Sequence, residues 1–266
     1  TPYYIGGHLS FKSVVHYSPE YFREKGIDVY ENHLVHKINF EEKSIEVLGD
    51  RVEGKVFYDE LVLSIGGTPI IPNIKGYSPD IDGLFRLSHA LDAERIKEYI
   101  DENSLKKAVV VGGGFIGIEM VEAFCDAGLE VELVELQDKL MPKLPKDISD
   151  EIYDKLIEKG IKVSLGKSLE EIISHNKKIK SIKLNSGEEI QTDLLLMSIG
   201  IKPNIELLEE SDFKFDANNR IYVNEYLETY MPNVYALGDL VYNRNKLTDE
   251  MFMLLMVMLQ ISKLLF

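Results

Sequence analysis

Three glycines, Gly112, Gly114 and Gly117, stand between the apolar run "AVVV" and an apolar-periodic segment that stops at Gly128. In a strand–turn–helix unit the first such glycine makes the tight turn. The second lets the backbone approach a pyrophosphate, and the third lets helix and strand pack closely. The helix N-terminus then offers unpaired N–H groups and a partial positive charge to the phosphates. The following strand, "EVELVELQ", carries Glu135 at its end, eighteen residues after Gly117. A carboxylate there accepts hydrogen bonds from both ribose hydroxyls of an adenosine and repels a 2′-phosphate. The pattern predicts a dinucleotide-binding unit that prefers NAD(H) to NADP(H). The plainer readings are a tight glycine turn with no ligand and a solvated acid at a strand end.

The rest of the chain sets bounds on this unit. At roughly 150 residues per domain, 266 residues make about two domains, and 45% apolar with 28% charged residues is the mix of an ordinary globular protein. Thirty basic against forty-five acidic residues leave a net charge of −15. That argues against nucleic-acid or anionic-membrane partners, which want a positive surface, but not against a small anion held by backbone N–H groups. A single cysteine, Cys125, excludes an internal disulfide framework and a multi-cysteine metal site. It falls mid-helix in "MVEAFCDAG", where a small buried core residue is the reading. The six histidines show no metal-ligand spacing with carboxylates, and no metal is expected. His33 and His36 read as solvated or locally bonded strand residues. The opening "TPYYIGG" has neither the basic nor the apolar region of a signal peptide. The apolar run Met251–Leu259 falls short of the ~20 residues of a membrane span. A soluble, cytoplasmic protein is expected.

Strands and helices alternate along the chain with glycine at the junctions, which predicts an α/β fold with a largely parallel sheet. "SPEYFREKG" reads as a short capped helix. "IDVY", "HLVHKINF", "KSIEVL" and "KVFYDELVLSIGG" read as short β segments. "SHALDAERIKEYI" reads as a helix with Ser88 as N-cap. "DISDEIYDKLIEKG" is a further helix, "IKVSLG" a strand, and Asn185-Ser186-Gly187 the turn of a hairpin. "YDELVLSIGGTP" and "TDLLLMSIGIKP" echo one another, as two similar nucleotide-binding units or chance would produce.

Taken together, these segments resemble the flavin-dependent pyridine nucleotide–disulfide oxidoreductases, in the branch of NADH oxidases and coenzyme A-disulfide or persulfide reductases. The resemblance runs in order to about Asn243. "PYYIGG" is similar to the segment that follows the redox cysteine of that branch, and "YSPEYFREKGIDVYENHLVHKIN" to its next helix and strand. "YDELVLSIGGTP" resembles the chain crossing near the flavin, "VVVGGGFIGIEMVEAF" the NAD fingerprint, and "LLLMSIGIKPN" and "TYMPNVYALGD" the later flavin-contacting segments.

The resemblance implies a Rossmann-like NAD-binding domain inserted in a partial FAD-binding domain. Residues 1–103 would be the partial FAD-binding domain, 104–228 the NAD(H)-binding domain, and 229–266 the return to the FAD-binding domain with an atypical tail. It implies FAD contacts at Val35, Gly66, Gly238 and Asp239, the last accepting a hydrogen bond from the ribityl chain. It implies NAD contacts at Gly112, Gly114, Phe115, Gly117, Glu119, Glu135 and Gly200. Phe115 would cover the flavin face when the nicotinamide is away, or else be a core residue at a helix start. Glu119 would lie beside the nicotinamide, or else be a surface acid near the positive helix end. The implied activity passes hydride from NADH through FAD to a small-molecule acceptor: a disulfide, a persulfide or dioxygen. The alternative is a truncated NADH-binding remnant without turnover.

Several departures from the family pattern carry expectations of their own. The first βαβ unit with its FAD-pyrophosphate turn, the redox cysteine before Thr1 and the C-terminal dimerisation domain are expected to be missing, with FAD retained weakly or not at all. The parent family is homodimeric. The tail "MFMLLMVMLQISKLLF" lacks family likeness. Read from the third base of each codon, Leu259–Leu264 can encode Ala-Asn-Lys-Gln-Ala, a family-like helix. A frameshift between about Asn243 and Met251 is therefore expected, or else a real amphipathic helix.

Overall fold

The computed structural model describes residues 1–14, 17–209 and 211–242; the atypical tail lies outside the described residues. The described residues form two compact units, one from residues 1–14 and 69–200 and the other from 17–68, 201–209 and 211–242. Of the segment assigned from sequence to NAD(H) binding, residues 104–200 lie in the first unit and 201–228 in the second.

The first unit is built on a five-stranded parallel sheet. Its strands lie in the order Leu84–Arg86, Leu194–Met197, Lys107–Val111, Glu130–Val134, Lys162–Ser164. Both faces are covered, which is why these strands read as nearly unbroken apolar runs rather than alternating ones. Ala108, Val110, Val131, Leu133, Leu194 and Leu196 point to one face. The helices Ala90–Glu102, Phe115–Asp126 and Lys146–Glu158 pack there through Ile96, Phe124 and Leu156, all with almost no exposure. Val109, Val111, Val134, Leu195 and Met197 point to the other face, as the period of two along a strand requires. A three-stranded antiparallel sheet of Leu169–His175, Lys178–Leu184 and Glu189–Gln191 covers it with Ile172, Ile182 and Ile190.

The second unit holds an antiparallel sheet of Leu34–Asn39, Ser44–Leu48 and Gly54–Phe57. It also holds a parallel pair, Leu61–Leu63 with Val234–Ala236, over a core of Leu63, Leu208, Phe213, Ile221, Val234, Ala236 and Leu240. The second strands of the two echoed segments, Gly67–Pro69 and Ile201–Pro203, pair with each other.

One helix cap and one hairpin turn form as expected. Ser18 caps the helix Pro19–Glu24 by accepting from the Tyr21 N–H. The turn at Asn185–Gly187 joins antiparallel strands. Three expectations need correction. Residues 27–30 form no strand: Ile27 and Tyr30 are exposed, and Asn32 turns the chain with φ 58° before a ladder could start. The helix expected to be capped by Ser88 begins one residue later, with His89 as N-cap. Asp92 turns back to accept from the N–H groups of Ser88 and His89 and from the Ser88 hydroxyl. Cys125 is exposed, not core. Its helix buries Gly117, Ile118, Met120, Val121, Ala123 and Phe124. Helical spacing puts residue 125 on the stripe of Ile118 and Val121, but it falls in the last turn, one residue before the helix ends, and is exposed there. His33 is locally bonded: its Nδ1 donates to the Glu31 carbonyl and its Nε2 accepts from the N–H groups of Arg51 and Val52. Among the described residues no helix is long and apolar enough to cross a membrane.

Candidate functional site: a glycine turn at the switch point of the parallel sheet

From Lys107–Val111 the sheet grows in two directions. Glu130–Val134 lies on one side and Leu194–Met197 on the other. Connections that part in this way leave a crevice outside the carboxyl ends of the strands, the usual ligand position in open α/β sheets. The glycine turn occupies it. The Gly112 N–H donates to the Val134 carbonyl at 2.8 Å, and the Ser198 N–H donates to the Val111 carbonyl at 2.8 Å. Gly112 has φ 113°, and a Cβ on it would overlap the Ser198 carbonyl oxygen. A Cβ on Gly117 would overlap the Gly112 carbonyl oxygen. Both glycines are therefore packed against backbone.

Gly114 differs from them. It is the N-cap of the helix Phe115–Asp126, with extended backbone and no side-chain cap, and a Cβ there would meet nothing within 4 Å. The first N–H groups of a helix have no partner within it. Here no side chain caps them, Gly114 leaves the space beside its backbone open, and an anionic group fits that cradle.

Glu135 is the anchor of this turn. It is 8% exposed, and its Oε2 accepts from the Gly113 N–H at 2.5 Å while its Oε1 accepts from the Gln137 N–H at 2.7 Å. Each oxygen retains a further lone pair for a hydroxyl donor. The plain reading of a solvated strand-end acid does not describe this buried carboxylate. Sequence inspection offered no sign of its bond to Gly113, since the two residues are twenty-two apart and meet only when the parallel strands pair.

Phe115, the first residue of the helix, is partly buried against the core on the helix side of the sheet. Glu119 sits one turn further along and is half-buried, lining a small cleft with Tyr3, His8 and Glu122. Its Oε1 is buried with no hydrogen-bond partner. Burial raises its carboxyl above the usual range, and the Thr1 amino group opposes the rise. A native pKa above the unfolded one makes the protonated form the stabilising one, so stability falls as pH climbs from the ordinary carboxylate range through the raised value. Glu119→Gln is therefore expected to melt at least ~2 °C above the wild type near pH 7 and to match it near pH 4. Identical melting at both pH values would contradict this. Gly200, with φ 108°, follows Leu194–Met197 and accepts from the Ile70 N–H at 3.0 Å.

All the residues singled out for NAD thus lie in the first unit, and those singled out for FAD in the second. Gly66, with φ 63°, follows Leu61–Leu63, and Gly238, with φ 76°, follows Val234–Ala236. With Asp239, which is exposed, they stand at the carboxyl ends of one parallel pair. Asn204 fixes the bend at Gly66: its N–H donates to the Gly66 carbonyl and its Nδ2 to the Ile65 carbonyl at 2.8 Å. The sequence reading gave Asn204 no role. Val35 belongs to the separate antiparallel sheet, half-buried, where the register shifts before Lys37. No group of three or more His, Cys, Asp or Glu among the described residues is placed to hold a metal.

The profile of the family described as pyridine nucleotide-disulphide oxidoreductase matches residues 6–254. An NADH oxidase of Methanocaldococcus jannaschii is 37% identical over 253 residues, covering 94% of this chain and 55% of the relative. A coenzyme A disulfide reductase of Staphylococcus haemolyticus is 32% identical, covering 90% of this chain and 53% of the relative. The solved structure of a NAD-dependent persulfide reductase from A. fulgidus superposes with a TM-score of 0.86 at 31% identity, covering 95% of this chain and 47% of that one. The chain spans about half the length of the curated relatives it matches. Its fold is that of the flavoproteins with two dinucleotide-binding domains, and the chain belongs to the pyridine nucleotide-disulphide oxidoreductase family.

Proposed function

We propose that this chain binds NAD(H) at the Gly112–Gly117 turn, as part of an oxidoreductase that passes hydride from NADH through FAD to a disulfide, a persulfide or dioxygen. The observation that carries the reading is the open Gly114 face at an uncapped helix N-terminus, with a buried carboxylate at the end of the next strand. The nicotinamide and flavin supply the hydride chemistry when bound. The chain's own residues bind and orient. The N–H groups at the start of the helix hold the pyrophosphate. Glu135 accepts from the ribose hydroxyls and leaves no room for the charge of a 2′-phosphate. Glu119 offers its unpartnered oxygen to a donor on the nicotinamide side, and Phe115 stands at the helix start beside it.

On the second unit, Gly66 and Gly238 let the chain approach the flavin, and Asp239 accepts a hydrogen bond from it. Val35 contributes through its backbone. The names of the relatives support all three acceptor classes, as oxidase, coenzyme A-disulfide reductase and persulfide reductase.

The test is a pair of titrations on the purified chain, following nicotinamide fluorescence. NADH is expected to bind at least about tenfold more tightly than NADPH, or ~1.4 kcal/mol. Equal affinities would remove the role given to Glu135, and no binding of either would remove the site.

A further inference from the structure

We propose that Met141 is a positioning residue for dinucleotide binding, holding the peptide of Gly113 in place through its own backbone N–H. The proposal rests on the reading of the glycine turn as the NAD(H) site.

Met141 is a non-glycine residue with φ 46°, in the left-handed region that side chains disfavour, and it is 2% exposed. A bulky residue keeps such a conformation only where its surroundings over-determine it, and such positions cluster at ligand clamps. Its N–H donates to the Gly113 carbonyl at 2.9 Å. On the opposite edge of the same residue, the Gly113 N–H donates to Glu135. Gly113 is thus gripped at both its donor and its acceptor, and it lies between Gly112, which turns the chain, and Gly114, which faces the open cradle.

The gripping segment is itself fixed. The Ser149 hydroxyl donates to the Leu140 carbonyl at 2.6 Å, the Leu144 N–H donates to the Met141 carbonyl at 2.8 Å, and Lys139 Nζ donates to the Leu144 carbonyl at 2.8 Å. Leu140 lies so close to Gly113 that a Cβ there would come within 2.6 Å of its Cδ2. The buried Met141 side chain anchors the left-handed backbone, and the backbone presents the N–H. The clamp sets the turn in its binding shape before any ligand arrives, and preorganisation of that kind raises affinity.

Two substitutions separate the clamp from ordinary core packing. Met141→Ala removes the anchor and keeps the penalty for a left-handed backbone. Met141→Gly removes more of the anchor but lifts the penalty. The expected order of NADH affinity is Met141 first, then Met141→Gly within about threefold, then Met141→Ala weaker by about tenfold. In the ligand-free protein, the Met141 amide is expected to exchange hydrogen faster in Met141→Ala than in Met141→Gly. A residue that only fills the core would give the opposite order, since glycine is the more destabilising replacement.

The proposal is overturned if Met141→Ala binds NADH within twofold of the wild type, or if Met141→Gly binds more weakly than Met141→Ala. Should neither variant fold, Ser149→Ala reads the same clamp. A loss of about threefold or more is expected there, and affinity unchanged within 1.5-fold, roughly the precision of a titration, overturns it. A wild-type chain that binds no NADH overturns the dinucleotide reading itself, and the clamp's role with it. NADH binding that these variants leave unchanged overturns the clamp alone.

Discussion

Glu135→Arg is expected to weaken NADH binding by at least about a hundredfold, ~2.7 kcal/mol, and to lower the stability of the protein in the same step. The carboxylate works in two directions. Towards the ligand it accepts from ribose hydroxyls. Towards the protein it accepts from the Gly113 and Gln137 N–H groups while itself nearly buried. Gln137 is exposed, so its N–H can turn to water; Gly113 is buried and cannot. A buried donor left without a partner costs ~1–3 kcal/mol, and the stability loss should fall in that range. NADPH binding is expected to fall less than NADH binding, because the arginine meets the 2′-phosphate while the loosened turn harms both ligands. The preference therefore narrows or inverts on a background of weaker binding. Glu135→Gln, which keeps the size and one acceptor, should be intermediate in both titration and thermal melting. An arginine variant that binds NADH within threefold of the wild type would end the case for Glu135 as either acceptor or anchor.

That double role shows where sequence reading stops. Strand 107–111, the helix after it and the acid at the end of the next strand were legible, because apolar runs, glycines and spacing are local signals. The parallel sheet followed from the alternation of strand and helix. The contacts that shape the site join residues far apart in the chain, as Gly113 does with Glu135 and Met141, or Gly66 with Asn204. No pattern in a single sequence marks a backbone N–H that meets a carbonyl twenty-eight residues earlier. Cys125 was misread for a related reason. Helical spacing sets it on the stripe of the buried Ile118 and Val121, and the pattern does not show that burial gives out in the last turn, one residue before the helix ends at Asp126. The segment 27–30, Ile-Asp-Val-Tyr, failed because so short a β-like segment needs a neighbouring strand, and the turn at Asn32 denies it one.

The glycines of the fingerprint should separate stability from binding when replaced one at a time. Gly112→Ala meets two obstacles. Its φ of 113° lies outside what a side chain tolerates, and the added carbon would overlap the Ser198 carbonyl oxygen and lie 2.7 Å from its carbon. The opposing atoms are backbone, on the neighbouring parallel strand's exit, so no rotamer change relieves them. The strand ends must part, and the Ser198 N–H to Val111 bond, at 2.8 Å, stands in the way. A loss of ~3 kcal/mol or more is expected, with NADH binding falling alongside because the turn loses its shape.

Gly114→Ala is expected to behave in the opposite way. At φ −81° with no atom within 4 Å of the new carbon, the folded chain accommodates it within ~0.5 kcal/mol. The methyl group would instead stand where the pyrophosphate must approach the helix N-terminus, and NADH affinity should drop by about tenfold or more. Thermal melting and NADH titration on the same two variants decide the matter. If Gly114→Ala binds NADH as the wild type does, the open face at that residue is not where the phosphates lie. If Gly112→Ala melts with the wild type, the tight approach of the turn to Ser198 is not a constraint on the fold.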